Sequence, residues 1–293
     1  MTAAHPARLA VGVIGTGRVG SVLGAALARA GHRVVAAYAV SAESRGRAER
    51  LLPGVPLMPP DDVARAADLV VIATPDDVLP DVVIGLAAAG AFRPAQIVVH
   101  VCGRYGLDVL EPATRAGAVA LALHPVMTFA GAPEDLQRLT GSTFGVTARE
   151  MLRPVAEALV IDMDGEPVWV PEDARPIYHA ALVYAANNVV TLTASAVDVL
   201  TAAGIEHPTR LLGPLIGASL DNALRRGDHA MTGPVSRGDA GTVQVHLDAL
   251  RASAPELVAP YIALARLTAE RALQAGLLRA DQAEGLLEVL AAQ

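Results

Sequence analysis

The chain has 293 residues, of which 53% are hydrophobic, 18% charged and 3% aromatic; its net charge is −7 and it contains no lysine. That length predicts about two domains, and the apolar content excludes a disordered or low-complexity protein. An acidic chain with no basic tract excludes a nucleic-acid binder, and a single cysteine, Cys102, excludes a disulfide framework or an all-cysteine metal cluster. No metal is expected, because no pair of ligands has characteristic spacing. Mean hydropathy is +0.41, but the two long uncharged stretches, 116–133 and 179–197, are interrupted by His124-Pro125 and by Asn187-Asn188. Neither resembles a clean span of about 20 apolar residues. The N-terminus lacks the basic flank and apolar run of a signal peptide. A cytoplasmic protein with no membrane partner is expected.

Short β-branched runs at 9–14, 34–40, 69–73, 97–101 and 119–123 alternate with helical stretches at 21–30, 63–67, 78–89 and 107–116. Apolar strands without polar alternation suit a sheet covered on both faces. Further short strands are predicted at 143–146 and 167–170, after which the polar, proline-flanked segment 171–176 reads as a linker. Helices then follow at 178–203, 211–225, 242–251, 255–275 and 281–292. The expected fold is an α/β Rossmann domain with a doubly wound parallel sheet, residues 1–170, followed by an all-helical domain, residues 171–293.

Directly after the first strand stands Gly15-Thr16-Gly17-Arg18-Val19-Gly20. In a G-x-G-x-x-G loop between strand and helix, the first glycine makes the tight turn. The second lets backbone approach a pyrophosphate, and the third lets helix and strand pack. Amides opening the helix then face the phosphates. This predicts a bound dinucleotide. An NAD enzyme usually carries an acid at the end of the second strand; here Ser41 stands in its place, followed by Glu43, Ser44, Arg45 and Arg47. Ser41, Ser44 and Arg45 suit a 2′-phosphate, so NADP(H) is favoured, with Glu43 as the ribose acid if the register slips by one or two residues. Arg45 and Arg47 also read as a solvated helix face. Thr74 and Pro75, at the end of the third strand, line the cofactor's ribose side, and Asp76 or Asp77 caps the next helix.

Four groups of polar residues bear on chemistry. His100 and His124 end predicted strands, where a histidine can give a proton to a carbonyl oxygen as hydride reaches its carbon; a core histidine bonded to backbone is the other reading, stronger for His100. Cys102 reads as a packed small hydrophobe. In the long helix, His179, Tyr184, Asn187 and Asn188 line an interdomain cleft or bond between packed helices. In the loop 232–239, Arg237 suits a substrate carboxylate with Asp239 beside it, or the loop is a surface turn in which Asp239 caps the next helix. His246 and Asn222 flank this loop.

The glycine loop, Leu69-Val70-Val71-Ile72-Ala73-Thr74-Pro75 and the helical second half resemble a broad reductase group. It contains 6-phosphogluconate, 3-hydroxyisobutyrate and prephenate dehydrogenases, pyrroline-5-carboxylate reductase and ketopantoate reductase. His124-Pro125 resembles the His-Pro of prephenate dehydrogenases, whose histidine contacts the substrate. Tyr184-Ala185-Ala186-Asn187-Asn188 resembles the Lys-x-x-Asn-Asn of hydroxyacid dehydrogenases, with tyrosine where their catalytic lysine stands. A mechanism using that lysine fails in a chain without one. The chain is also similar to a subgroup of Rossmann-like bacterial proteins. That subgroup pairs His-Pro-x-x-Thr-Phe with Tyr-His-Ala-Ala and Thr-Gly-Pro-x-x-Arg-Gly-Asp, here His124 to Phe129, Tyr178 to Ala181 and Thr232 to Asp239. Some of its members look like a second type of ketopantoate reductase.

The resemblance implies an NADPH-dependent reductase of a small carbonyl acid, ketopantoate first. His124 would donate the proton, Asn187, Asn188 and His179 would polarise the carbonyl, and Arg237 would hold the carboxylate. Imine reduction, oxidative decarboxylation or deazaflavin-linked hydride exchange are alternatives on the same scaffold, as is a non-catalytic NADP(H) sensor. Related architectures pair through their helical domains, so a homodimer is expected.

Overall fold

The computed structural model describes residues 8–291. Seven strands form one sheet: β1 (Ala10–Ile14), β2 (Arg33–Tyr38), β3 (Leu69–Ile72), β4 (Ile97–His100), β5 (Val119–Pro125), β6 (Thr143–Thr147) and β7 (Glu166–Trp169). Their order is β2-β1-β3-β4-β5-β6-β7. The helices of this half are α1 (Arg18–Arg29), α2 (Ala42–Leu51), α3 (Pro60–Ala66), α4 (Leu79–Ala88), α5 (Glu111–Arg115), α6 (Asp135–Leu139) and α7 (Arg153–Asp162). Every strand expected from the sequence is present within a few residues. The doubly wound sheet carries one antiparallel pairing, β5 with β6, where His124 faces Gly145.

Alternation along the strands separates two cores. Val11, Val13, Val71, Val99 and Leu121 pack with Leu23, Leu27 and Leu159. Ile14, Val70, Ile72 and Val98 pack with Val63, Val83 and Leu110. Side chains two apart share a face, so continuous valine and isoleucine is what a sheet with helices on both sides requires. The strand order turns around at β1, with β2 on one side and β3 on the other. In such sheets the crevice beyond the carboxyl ends of the diverging strands is the binding place.

The chain divides into two units, Met1–Tyr184 and Ala185–Gln293. The segment read as a linker is anchored instead. Arg175 opens α8 (Arg175–Ala202) and is fully buried. Its Nε donates to Thr147 Oγ1 at 2.7 Å and its Nη2 to the carbonyls of Ala122 and Gly145 at 3.1 and 3.0 Å.

After α8 come α9 (Pro208–Arg226), α10 (Pro234–Arg237), α11 (Ala240–Ser253), α12 (Val258–Gln274) and α13 (Ala280–Ala291). Ala292, placed in the last helix from the sequence, lies outside the described residues. Val243, Leu247, Ala265, Ala269, Leu286 and Leu290 of α11, α12 and α13 form the core of this unit. By length and composition α8 is long and apolar enough to cross a membrane, although its sequence looked too interrupted for one. None of its most apolar window is buried.

Candidate functional site

The site begins at the turn from β1 into α1. Gly15 has φ +99°, and a Cβ there would stand 2.6 Å from the Ala73 carbonyl oxygen, so only glycine fits. A Cβ on Gly20 would collide with the Gly15 carbonyl. Gly17 differs, because nothing lies within 4 Å of where its Cβ would be. It is also the N-cap of α1, where no side chain caps the helix and no acid sits in the first turn. The open amides at a positive helix end make a place for an anion. These residues fit a dinucleotide's pyrophosphate.

Around this loop lies a cavity of about 420 Å³, wholly within the first unit. Gly17, Arg18, Val19, Thr74, Pro75, Asp76, Cys102, Gly103, His124, Met127, Phe129 and His179 are among the residues lining it. Thr74 Oγ1 is buried without a hydrogen-bond partner, a polar atom waiting for a ligand group. The loop carrying Met127 and Phe129 is held from behind by Asp135, whose Oδ2 accepts from the amides of Ala130, Gly131 and Ala132 at 2.8, 2.7 and 3.3 Å.

The residues assigned to the 2′-phosphate divide. Ser41 and Ser44 form a reciprocal capping box at the start of α2. The Ser44 hydroxyl donates to the Ser41 carbonyl at 2.9 Å, a bond of the cap. Thr16 is buried and its hydroxyl donates to the Ser44 carbonyl at 3.1 Å, so it ties the loop to α2. Arg45 is exposed. Arg47 lies under the loop: a Cβ on Gly131 would meet its Cδ and Nε at 2.9 Å. It also reaches Glu43 at 3.6 Å, which turns the alternative ribose acid toward a cation.

His124 is the centre of the polar cluster. Its Nδ1 lies 2.8 Å from Tyr178 Oη, and its ring meets that of His179 edge-on with centroids 5.8 Å apart. Burial, with the charges of His179 and Arg175, pushes its pKa down to about 4, while Asp76 pulls the other way. His124 is therefore uncharged at neutral pH. Two glycines make the cluster possible. On Gly103 a Cβ would stand 2.5 Å from His179 Cδ2 and 3.0 Å from His124 Nε2, and on Gly145 it would collide with Tyr178 Oη.

Other assignments change. His100 is fully buried, its Nε2 2.7 Å from the Gly106 carbonyl and its Nδ1 accepting from Cys102 N at 3.2 Å. These are the surroundings of a core histidine, the other reading the sequence gave for it. Cys102 is buried and its thiol is pushed up to about 12, mainly by burial, so it is inert as a nucleophile. Asp239 is the N-cap of α11, accepting from Thr242 N at 3.0 Å and Thr242 Oγ1 at 2.7 Å. This is the helix cap that the sequence offered as the other reading of Asp239. Tyr184, Asn187, Asn188 and Arg237 are all exposed, the last three in the second unit. Tyr178 and Arg175 are the residues to which the sequence reading gave no role. Tyr178 stands next to His179 in a quoted motif, and that adjacency was the available signal.

Burial pushes the His100 pKa from 6.5 to about 4. Between those values the unfolded chain holds the extra proton, so stability is expected to fall as pH drops from 6.5 toward 4. The loss for this group is on the order of 3 kcal/mol. Urea unfolding at a series of pH values checks this, and a flat midpoint across that window contradicts it.

Residues 1–125 match the family described as a Rossmann-like domain, and residues 142–268 match a domain of unknown function, DUF2520. No protein of curated function matches the sequence. Solved structures share the fold over most of their length. A Bacteroides fragilis protein provisionally described as an NADP oxidoreductase aligns with TM-score 0.75 at 21% identity, covering 90% of this chain and 98% of its own. An imine reductase from a Pseudomonas species gives TM-score 0.66 at 21% identity, covering 97% and 100%. A reductive aminase from Aspergillus terreus, solved with NADPH and ethyl levulinate, gives 0.65 at 18%, covering 96% and 99%. The chain thus has the fold of these proteins: a Rossmann-like domain followed by a largely helical region.

Proposed function

We propose that the protein is an NADPH-dependent reductase of a small carbonyl acid, with ketopantoate as the first candidate. The observation that carries this reading is the uncapped start of α1 behind the open Gly17, on the same cavity as His124 and His179. When bound, the reduced dinucleotide supplies hydride. The Gly15 to Gly20 loop holds the pyrophosphate, Thr74 and Pro75 flank the ribose, and Arg45 with Arg47 favours a 2′-phosphate. His124, uncharged, holds a proton at a ring nitrogen for the substrate oxygen, and His179 polarises the carbonyl. The preference for ketopantoate rests on the likeness of the His124 to Phe129 and Thr232 to Asp239 segments to the subgroup above.

Imine reduction is the second reading, favoured by near full-length similarity to an imine reductase and a reductive aminase. Following NADPH absorbance with ketopantoate, and separately with a cyclic imine, tests both. Consumption with the keto acid supports the first, consumption with the imine alone supports the second, and consumption with neither leaves a non-catalytic NADP(H) sensor.

We also propose a cytoplasmic homodimer. Helix α8 is apolar around its circumference yet exposes Val183, Val189, Val190 and Leu192, and α9 exposes Leu211, Leu215, Leu220 and Leu224. Apolar surface on this scale calls for a cover. Asn187, Asn188 and Thr191 in mid-helix fit a protein partner better than lipid. Sedimentation at micromolar concentration is expected to give twice the chain mass; a monomer contradicts the proposal.

A further inference from the structure

A neutral imidazole is a weak acid, so a proton leaving His124 has to be replaced at the ring as it goes. The ring spans two environments. Nε2 faces the cavity beside Gly103, where a Cβ would stand 3.0 Å away. Nδ1 faces Tyr178 Oη at 2.8 Å, with the two rings edge-on and centroids 5.7 Å apart. One imidazole thus bridges the cavity and the tyrosine.

Behind the tyrosine stands Arg175. Its guanidinium carbon is 5.7 Å from the centroid of the Tyr178 ring. Gly145 touches both: its carbonyl accepts from Arg175 Nη2, and its missing Cβ makes room for Tyr178 Oη. Arg175 Nη1 is buried without a hydrogen-bond partner, on a cation that also feels the Glu172 carboxylate. Burial alone pushes the Tyr178 hydroxyl up, and Arg175 opposes that push.

We propose that Tyr178 is a positioning residue that resupplies the proton His124 delivers, with Arg175 stabilising the phenolate left behind. This rests on the reductase reading above. The carbonyl carbon gains hydride from the reduced nicotinamide dinucleotide, which is oxidised. The His124 Nε2–H bond breaks and its proton goes to the carbonyl oxygen. The Tyr178 O–H bond breaks with it; that proton forms a bond to Nδ1, and the electron pair stays on Oη. After product leaves, solvent reprotonates Nε2 and the Nδ1 proton returns to Oη. His124 is neutral throughout and only exchanges tautomers.

The first test uses the unliganded full chain. Histidine ¹⁵N NMR is expected to show His124 as the Nε2–H tautomer at neutral pH, with Nδ1 accepting from Tyr178. The Nδ1–H tautomer overturns the proposal, because Tyr178 would then be the acceptor. Tyr178→Phe is expected to erase the tautomer preference. With substrate, the same variant is expected to lower kcat about 10–100-fold with KM little changed, and to reduce the solvent proton inventory from two protons to one. An unchanged kcat and inventory overturns the relay. Where the variant fails to fold, the wild-type spectrum still decides. Where no carbonyl or imine is turned over, the NMR result stands and the failure belongs to the reductase reading.

Discussion

Alanine at position 124 is expected to lower kcat for carbonyl reduction by about 10²–10⁴-fold, the range that one positioned proton donor supplies. Dinucleotide affinity is expected to hold, because the elements proposed to bind pyrophosphate are the backbone of Gly15 to Gly20 and the uncapped start of α1, not the His124 ring. Removing the imidazole also leaves Tyr178 Oη without its partner at 2.8 Å, a loss of about 1–3 kcal/mol in stability. That is too small to unfold the unit, so the two effects separate. Steady-state kinetics beside a nucleotide titration of His124→Ala is the check. Full turnover in this variant removes His124 from the mechanism.

Arg175→Ala is expected to destabilise the first unit by about 3–5 kcal/mol, within the range for large-to-small changes at buried sites. Two effects compete at this position. The guanidinium is buried, and taking such a charge out of water is costly, so its removal brings some relief. Against that, its loss strips hydrogen bonds from the carbonyls of Ala122 and Gly145 and from Thr147 Oγ1. It also empties the volume of the largest fully buried side chain. A buried acceptor left without a partner costs about 1–3 kcal/mol, and here two carbonyls lose one, so the loss outweighs the relief. Urea unfolding followed by Trp169 fluorescence measures it. A variant as stable as the wild type, or more so, means that desolvation of the arginine dominates.

The strands were legible because most are short apolar runs between glycines or polar turns. Burial on both faces removes the alternation that would mark an exposed sheet. Helix α2 was read only as an alternative, a solvated helix face carrying Arg45 and Arg47, since Ala42–Leu51 is polar and its serines invited a ligand assignment. The capping box they form was the better reading of the same residues. Helix α7 escaped, although Pro154 near its start and the spacing of Ala156, Leu159 and Val160 are helical signals. The antiparallel pairing of β5 with β6 leaves no mark on a strand's own residues, because direction depends on the path between strands.

The glycine loop was legible: Gly15 makes the turn and Gly20 the close packing that their spacing implied, and Gly17 stands open. The polar cluster was half legible. His124 and His179 lie 55 positions apart in sequence, and what joins them is two absences of a Cβ, at Gly103 and Gly145, which no spacing rule reports. His100 and His124 both end strands, and the core reading was already the stronger for His100. The difference is depth: one is sealed against the Gly106 carbonyl and the other faces a cavity. Asp239 was legible as a cap, a chemically able side chain whose hydrogen bonds in the structure are local.

We propose above all that the Gly15 to Gly20 loop and its cavity hold a nicotinamide dinucleotide, the phosphorylated form preferred. Titrating the purified full chain with NADPH and with NADH, followed by nicotinamide fluorescence or calorimetry, tests it most directly. Saturable binding of NADPH, tighter than that of NADH and weakened by Arg47→Ala, is the predicted result. Absence of binding by either nucleotide contradicts the account at its root.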